Sequence, residues 1–245
     1  MYKFFEKHKG FMTRFLCIII AALLVSNVFM LQRASALEMK IQSAQEQIEQ
    51  HDEYISKHVE EIKEVTKAQQ TVKNHIDAMT KHEDAINAIK GGYGYDSDLS
   101  NNNPSALLTA DDMNKIINYW IERRGVSKEF AGKGQAFINA SIQTGMNPIY
   151  ILAHAAAESG WGSSHLAKTR HNYFGINAVD QDPGRASTMG GSLEEGITAG
   201  ADWIKRHFYN NGYTSLRSMK HGNYATDPKW AGNILHIMNE SVSVL

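Results

Sequence analysis

The sequence contains a single cysteine, Cys17, among its 245 residues. A lone cysteine cannot form an intrachain disulfide, so an exported domain of this chain must be held together by its hydrophobic core. The net charge is only −1, which gives no indication of a nucleic-acid partner. The length allows one ordinary globular domain with accessory segments.

The charges are unevenly distributed along the chain. Residues 1–36 carry five basic residues and one acidic residue, a net charge of +4. Residues 37–89 carry six lysines and eleven acids, a net charge of −5. Residues 109–245 carry thirteen bases and twelve acids, a net charge of +1. This division indicates three functional segments.

Residues 15–31 form an uncharged apolar run that follows a basic segment, residues 1–14. This pattern is typical of a transmembrane signal anchor or of a signal peptide, and Ala36 ends a candidate cleavage site. A buried helix is a third interpretation, although the coiled-coil pattern that follows favours the uncleaved anchor. The preceding bases predict a single-pass membrane protein with residues 1–14 in the cytoplasm and the C-terminal domain outside. Cleavage would make the protein secreted.

Residues 37–89 show a heptad repeat typical of a coiled-coil stalk. One row of the repeat begins Ile41, Ile48, Ile55, Ile62, and its partner row includes His51 and His58. Isoleucine in the first row is compatible with a parallel dimer, and the weaker second row leaves trimers open. A single helix packed on the domain is the alternative. About 50 helical residues would extend roughly 75 Å.

Residues 90–108 are rich in glycine and asparagine and are predicted to be a flexible linker. The remainder, residues 109–245, is predicted to be a mainly α (α+β) domain. Helices are expected to begin at Thr109, Ser127, Asn147, Ser192 and Pro228, with short strands expected within residues 171–191.

Glu158 stands in the last turn of the helix that is predicted to begin at Asn147 and to end before Gly160. The helix dipole and the apolar neighbours should both favour the protonated carboxyl group and raise its pKa. A carboxylic acid that keeps its proton near neutral pH can act as a general acid. A solvated glutamate at a frayed helix end is the simpler interpretation of the same residues.

Three ordered motifs bear on this choice: AHAAAESGWGSSHLA at residues 153–167, NYFGINA at 172–178 and YATDPKWAGNI at 224–234. Together they resemble the endo-β-N-acetylglucosaminidase domain of bacterial autolysins, glycoside hydrolase family 73. AVDQDP at residues 178–183 resembles the staphylococcal branch. The resemblance covers residues 109–245 and implies a lysozyme-like fold that cleaves the GlcNAc-β-1,4-MurNAc bond of peptidoglycan.

The resemblance also implies roles for individual residues. Glu158 corresponds to the general acid of the family, and Tyr224 and Asp227 correspond to residues that lie close to it. The groove floor corresponds to Asn172, Tyr173, Phe174 and Gly175. Trp161, next to the acid, is expected to line the groove and to contact sugar.

A second carboxylate is less clearly indicated. Asp180 and Asp182 are candidates, although they precede a Pro-Gly turn, while Glu194 and Glu195 have the positions of ordinary helix-capping acids. The other route is attack by the 2-acetamido group of the substrate itself.

His154 lies four residues before Glu158, but the H-x-x-x-E spacing is not that of a zinc protease, and we expect no metal or cofactor. The alternative functions are a muramidase or lytic transglycosylase on the same fold, and a catalytically inactive scaffold that binds the cell wall. The expected partners are peptidoglycan strands, the membrane through residues 15–31 and further copies of the chain through the coiled coil, with no nucleic acid.

Overall fold

A computed structural model describes residues 2–102, 104–178 and 186–245. The chain divides into two units, Met1–Lys73 and Asn74–Leu245. The first helix, α1, runs through both units as Tyr2–Ile89. By length and composition, its part from His8 to Ile89 is the one described helix that could cross a membrane, a property that signal sequences share.

Within the first unit, α1 is helical through the predicted span and through most of the heptad repeat. The isoleucines of the first heptad row are exposed to solvent. The side chains of His51 and His58 turn back onto the carbonyl oxygens of Gln47 and Tyr54, one helical turn earlier. Association of this helix with other copies stays a prediction.

The second unit contains the end of α1 and seven further helices among its described residues. These are α2 (Ala110–Arg124), α3 (Gly134–Thr144), α4 (Pro148–Ser159), α5 (His165–Arg170), α6 (Leu193–His207), α7 (Leu216–His221) and α8 (Trp230–Val242). Short 3₁₀ helices occupy Pro104–Leu107 and Tyr209–Asn211. The mainly α class is confirmed, since the described residues contain no strand and only one isolated bridge, between Ser100 and Met146.

The expected short strands do not occur at residues 171–178 or 186–191. Gly175 and Asn177 have φ values of 64° and 57°, which turn the chain instead of extending it. The intervening residues, 179–185, lie outside the described part of the chain.

The helix α4 is the centre of the domain, because ten of its twelve residues are buried. Asn147 caps it as predicted, accepting hydrogen bonds from the backbone N–H groups of Ile149 and Tyr150, with Pro148 in the first turn. Gly160, at φ 57°, ends it. The helices α3 and α8 pack against α4, so the last turn of α4 is held in a fixed position.

The other predicted helix starts have mixed outcomes. Thr109 forms the predicted capping box with Asp112, and Ser192 caps α6. The helix expected from Ser127 begins later, at Gly134, because Gly132 adopts φ 69°, which a continuous helix cannot contain.

Residues 90–102 form turns and irregular segments, as their composition predicts, and the short 3₁₀ helix Pro104–Leu107 follows them. This stretch packs on the domain, where a flexible linker was expected. Leu99 and Leu108 are buried in the core. The backbone N–H of Leu99 donates to Thr214, and its carbonyl accepts from Asn147. The domain boundary at residue 109 stays a prediction.

Candidate active site

Glu158 is the only charged residue of α4, and it lies where the helix leaves the core. His154, Ala155 and Ala156, in the preceding turn of the helix, are buried. The side chain of Glu158 keeps 25% of its surface exposed. The buried part of the helix therefore holds the carboxylate in place, while one side of the carboxylate remains accessible to solvent.

The two oxygens of this carboxylate have different surroundings. The indole Nε1–H of Trp230 donates to Oε1 at 2.7 Å. His154 Nε2 approaches the same oxygen at 3.6 Å, which is longer than a hydrogen bond. Oε2 faces Gly175, where an added Cβ would lie 3.6 Å away. An N–H donor on Oε1 leaves Oε2 as the oxygen that can carry a proton.

The expected rise in the pKa of Glu158 is not what the full structure produces. Burial is the largest influence and does raise the pKa, but interactions with His154 and the N–H of Trp230 lower it by more. The nearby negative charge of Asp227 acts in the raising direction. The net result is a pKa below the usual value of a glutamate.

Tyr224 belongs to an aromatic cluster beside the acid. Its ring stacks on Trp230 at a centroid distance of 4.9 Å and lies 4.8 Å from the rings of both His154 and Phe208. Burial, with the nearby negative charge of Glu158, raises the pKa of Tyr224 well above its usual value. Its hydroxyl group is therefore neutral and can donate a hydrogen bond.

Asp227 is exposed in the loop before α8. Its Oδ1 accepts from the backbone N–H of Lys229 at 2.9 Å, which is the turn-forming role that its place before Pro228 indicates. Lys220 Nζ donates to the carbonyl oxygens of Ala225 and Asp227, at 2.7 Å each. Lys220 thus ties the loop that carries both Tyr224 and Asp227 to α7.

The predicted groove-floor residues have different positions. Asn172 is buried, donating through Nδ2 to Ile176 and Ser187 and accepting through Oδ1 from the N–H of Ile176. Tyr173 and Phe174 are buried as well, and Phe174 lies 5.5 Å from the His154 ring. These three residues anchor the loop of residues 172–178 in the core. Gly175 is the residue of this loop that lies next to the Glu158 carboxylate.

Trp161 lies in the core, only 7% exposed, where an exposed position in the groove was expected. Its backbone adopts φ 58°, and its ring packs on Trp120 at 5.1 Å and on Phe130 at 6.3 Å. Although Trp161 is only three residues from Glu158 in the sequence, its ring points into the core and not toward the carboxylate.

Asp180 and Asp182 lie outside the described residues. Glu194 forms an ion pair with Lys133 at 2.8 Å, which is the main cause of the lowered pKa of Glu194. Glu195 accepts from the N–H of Gly191 at 2.7 Å. Glu195 therefore makes the local contact expected of a residue at a helix start, whereas Glu194 pairs with a residue 61 positions earlier in the chain. The described residues contain no cluster of three potential metal ligands.

Three residues around the site were not assigned a role from the sequence: Trp230, His154 and Lys220. The sequence does not distinguish Trp230 from a core tryptophan, and it marks His154 only by its position four residues before the acid. Nothing in the sequence around Lys220 indicates its contacts, because they form only when the following loop folds back onto α7.

Known proteins resemble the C-terminal part of the chain. Residues 134–242 match the family model of mannosyl-glycoprotein endo-beta-N-acetylglucosaminidase. A putative endo-beta-N-acetylglucosaminidase of Streptococcus pneumoniae is 37% identical over 109 residues, which are 43% of this chain and 17% of that protein. A bifunctional autolysin of Staphylococcus aureus is 32% identical over 143 residues, covering 47% of this chain and 11% of that protein.

Among solved structures, a catalytic mutant of S. aureus autolysin E in complex with the disaccharide NAG-NAM aligns with a TM-score of 0.48 and 25% identity. The alignment covers 56% of this chain and 67% of that one. This chain spans less than a fifth of the length of the two curated relatives above. The match of residues 134–242 to the glucosaminidase family model confirms the resemblance found in the motifs.

Proposed function

We propose that this domain hydrolyses the GlcNAc-β-1,4-MurNAc bond of peptidoglycan and that Glu158 is its general acid. The observation that carries the proposal is the unequal environment of the carboxylate. Oε1 accepts a hydrogen bond from Trp230, while Oε2 is open beside Gly175. The match to the glucosaminidase family model supports a glycosidic substrate.

In this mechanism the proton moves from Oε2 of Glu158 to the glycosidic oxygen as the bond to the anomeric carbon breaks. A negative charge then develops on the carboxylate. The N–H of Trp230 stabilises that charge more than it stabilises the neutral acid, so it lowers the barrier. The space left by the missing side chain of Gly175 admits the leaving group.

Tyr224 and Asp227 are proposed to orient the sugar at the cleaved bond. Tyr224 offers a neutral hydroxyl donor from the aromatic cluster, and Asp227 adds an exposed carboxylate whose charge reaches Glu158. The anomeric carbon is attacked either by a carboxylate, such as Asp180 or Asp182, or by the substrate's own acetamido group, and water then hydrolyses the intermediate to release reducing-end GlcNAc. The Asp180→Asn, Asp182→Asn double variant separates these routes, because only the carboxylate route requires one of these residues.

The test is mass spectrometry of purified peptidoglycan digested with the full-length chain in detergent, beside Glu158→Gln. New reducing-end GlcNAc is expected, with a loss of roughly a hundred- to ten-thousand-fold in the variant. Glu122→Gln is the matched control, since Glu122 is exposed on α2.

Reducing-end or anhydro-MurNAc would instead identify a muramidase or a lytic transglycosylase. Strand binding without any product would indicate a scaffold. Full activity of Glu158→Gln would exclude Glu158 as the acid.

We further propose that residues 15–31 anchor the protein in the membrane and that residues 37–89 associate with other copies. The apolar helix near the N-terminus and the exposed isoleucine row support these two steps. An anchored stalk would confine cleavage to wall close to the membrane, and a dimer would place two domains on one glycan array. Retention of the chain in a carbonate-washed membrane fraction, at its uncleaved mass, tests the anchor.

A further inference from the structure

His154 is a buried ionisable residue that the mechanism above does not use. Its side chain has no exposure to solvent, although α4 brings it within one turn of the acid. Nε2 points at Oε1 of Glu158 from 3.6 Å and has no hydrogen-bond partner. An unpartnered buried nitrogen is costly, so its orientation toward the acid calls for an explanation.

The other ring nitrogen indicates where the proton of the imidazole lies. Nδ1 is 2.8 Å from the hydroxyl oxygen of Tyr150, and that hydroxyl is also 3.3 Å from the sulfur of Met219. A phenol donates more strongly to an imidazole nitrogen than to a thioether. When Tyr150 donates to Nδ1, the proton of a neutral imidazole is on Nε2.

The alternative tautomer is disfavoured by the same geometry. A bare Nε2, itself buried away from water, would direct its lone pair at a carboxylate oxygen. A protonated Nε2 instead directs a hydrogen at that oxygen, in the neutral ring and in the imidazolium ion alike. Both states allow the contact to shorten to a hydrogen bond when charge develops on Glu158.

We propose that His154 is a positioning residue whose Nε2–H, fixed by Tyr150, faces Oε1 of Glu158. Its interaction with Oε1 becomes stronger as the acid gives up its proton. This inference rests on the proposed function and deepens it. Trp230 and His154 would then form a pair of N–H donors on one oxygen, one from α8 and one from α4. The pair restricts the transferable proton to Oε2 and stabilises the product carboxylate.

Among the described residues, Glu158 is the one group facing the His154 ring that carries a charge at neutral pH. Tyr150 and Glu158 belong to its own helix, and Tyr224 contributes a neutral phenol from the loop before α8. Phe174 and Trp230 cover the ring with uncharged aromatic edges. Asp227 acts on Glu158 and is exposed. A substitution at His154 should therefore alter mainly the titration of Glu158.

The experiment compares wild type, His154→Leu and His154→Gln in the full-length chain. Leucine removes the donor, and glutamine keeps an N–H near the place of Nε2. We expect kcat on peptidoglycan to fall on the order of tenfold in His154→Leu. The alkaline limb of its pH–rate profile should move to higher pH, and His154→Gln should recover much of both effects. Ile117→Val, a core change in α2, should lower the melting temperature without moving the limb.

A second readout does not require activity. The carboxyl carbon of Glu158, labelled with carbon-13 and identified by its loss in Glu158→Gln, reports its own titration by NMR. The midpoint should rise in His154→Leu and return toward wild type in His154→Gln. Tyr150→Phe should raise it less than His154→Leu, and it keeps the test available if the leucine variant does not fold.

An unchanged midpoint in folded His154→Leu would overturn the proposal, even with reduced activity. Wild-type protein without any hydrolytic activity would instead refute the proposed function, and the NMR titration would still decide the role of His154.

Discussion

The indole N–H of Trp230 and the carboxylate of Glu158 are 72 positions apart in the sequence and 2.7 Å apart in the structure. Trp230 is the first residue of α8, and Glu158 is in the last turn of α4. The two helices pack on each other, so the contact depends on the domain core rather than on a loop. The contact occupies Oε1 and leaves Oε2 as the oxygen available for the proton transfer proposed above.

Replacement of Trp230 by phenylalanine should therefore reduce activity while the aromatic packing with Tyr224 is largely kept. We expect kcat/KM on peptidoglycan to fall on the order of tenfold to a hundredfold, because one hydrogen bond to the developing charge is lost. The alkaline limb should move to higher pH. Trp203→Phe is the control, since Trp203 stacks on His207 in α6. Equal losses in both variants would contradict the role of Trp230.

The lowered pKa of Glu158 has a consequence for stability as well as for catalysis. A carboxyl group whose pKa is lower in the folded state stabilises the fold above its unfolded pKa, about 4.3 for glutamate, and loses that contribution as the pH falls through the folded value. The melting temperature of wild type should therefore decrease relative to that of Glu158→Gln at acidic pH. Scanning calorimetry from neutral to acidic pH measures the difference, and parallel curves would contradict the assigned shift.

Activity should depend on pH in the opposite sense. A general acid must hold its proton, so the rate should decline as pH rises through the pKa of Glu158 in the substrate complex. We expect an acidic optimum in initial-rate measurements on soluble glycan fragments. A rate that increases steadily from acidic to alkaline pH would exclude Glu158 as the proton donor.

The elements predicted best from the sequence are those that local chemistry determines. Thr109, Asn147 and Gly160 start or end helices through contacts with residues at most four positions away, and each has its predicted role. The motifs likewise placed Glu158 at the end of a buried helix. Capping and turn formation need no knowledge of the rest of the fold.

The properties that were missed depend on distant residues or on side-chain direction. The sign of the pKa shift of Glu158 was wrong because Trp230 and His154 outweigh burial, and a sequence does not show that either nitrogen points at the acid. Trp161 was expected in the groove because it is near Glu158 in sequence, whereas its left-handed backbone directs the ring into the core. Leu99 packs a segment whose composition alone indicates a linker.

Lys220 should be required for activity although it is not expected to touch substrate. Its ammonium group holds two carbonyl oxygens of the loop that carries Tyr224 and Asp227. Lys220→Met should free that loop and lower kcat/KM by about tenfold, with a smaller effect on the melting temperature. Lys229→Met, an exposed neighbour in the same loop, is the control for charge. Similar kinetics of both variants would show that the two hydrogen bonds do not position the loop.

The exposed isoleucine row of α1 should determine the oligomeric state. An aspartate at Ile48 would place a charge in the predicted apolar seam, so the sedimentation coefficient in detergent should decrease toward that of a monomer. Gln42→Asp introduces the same charge outside the seam and should leave the association unchanged. A monomeric wild-type chain, or equal dissociation in both variants, would refute the coiled coil without affecting the enzymatic proposal.

Gly175 provides the sharpest test of the space beside Oε2. It combines φ 64° with a Cβ position 3.6 Å from the carboxylate oxygen, whereas Gly132 has φ 69° and nothing within 4 Å of its Cβ position. Alanine at either position should therefore cost a similar backbone strain, about 1–2 kcal/mol in the free energy of unfolding. Only Gly175→Ala should also reduce kcat/KM strongly, because its methyl group occupies the space proposed for the leaving group. Urea unfolding and initial rates measured on both variants separate the two effects. If Gly132→Ala lost as much activity as Gly175→Ala at equal stability, backbone strain alone would account for the loss, and the space beside Oε2 would not be needed by the leaving group.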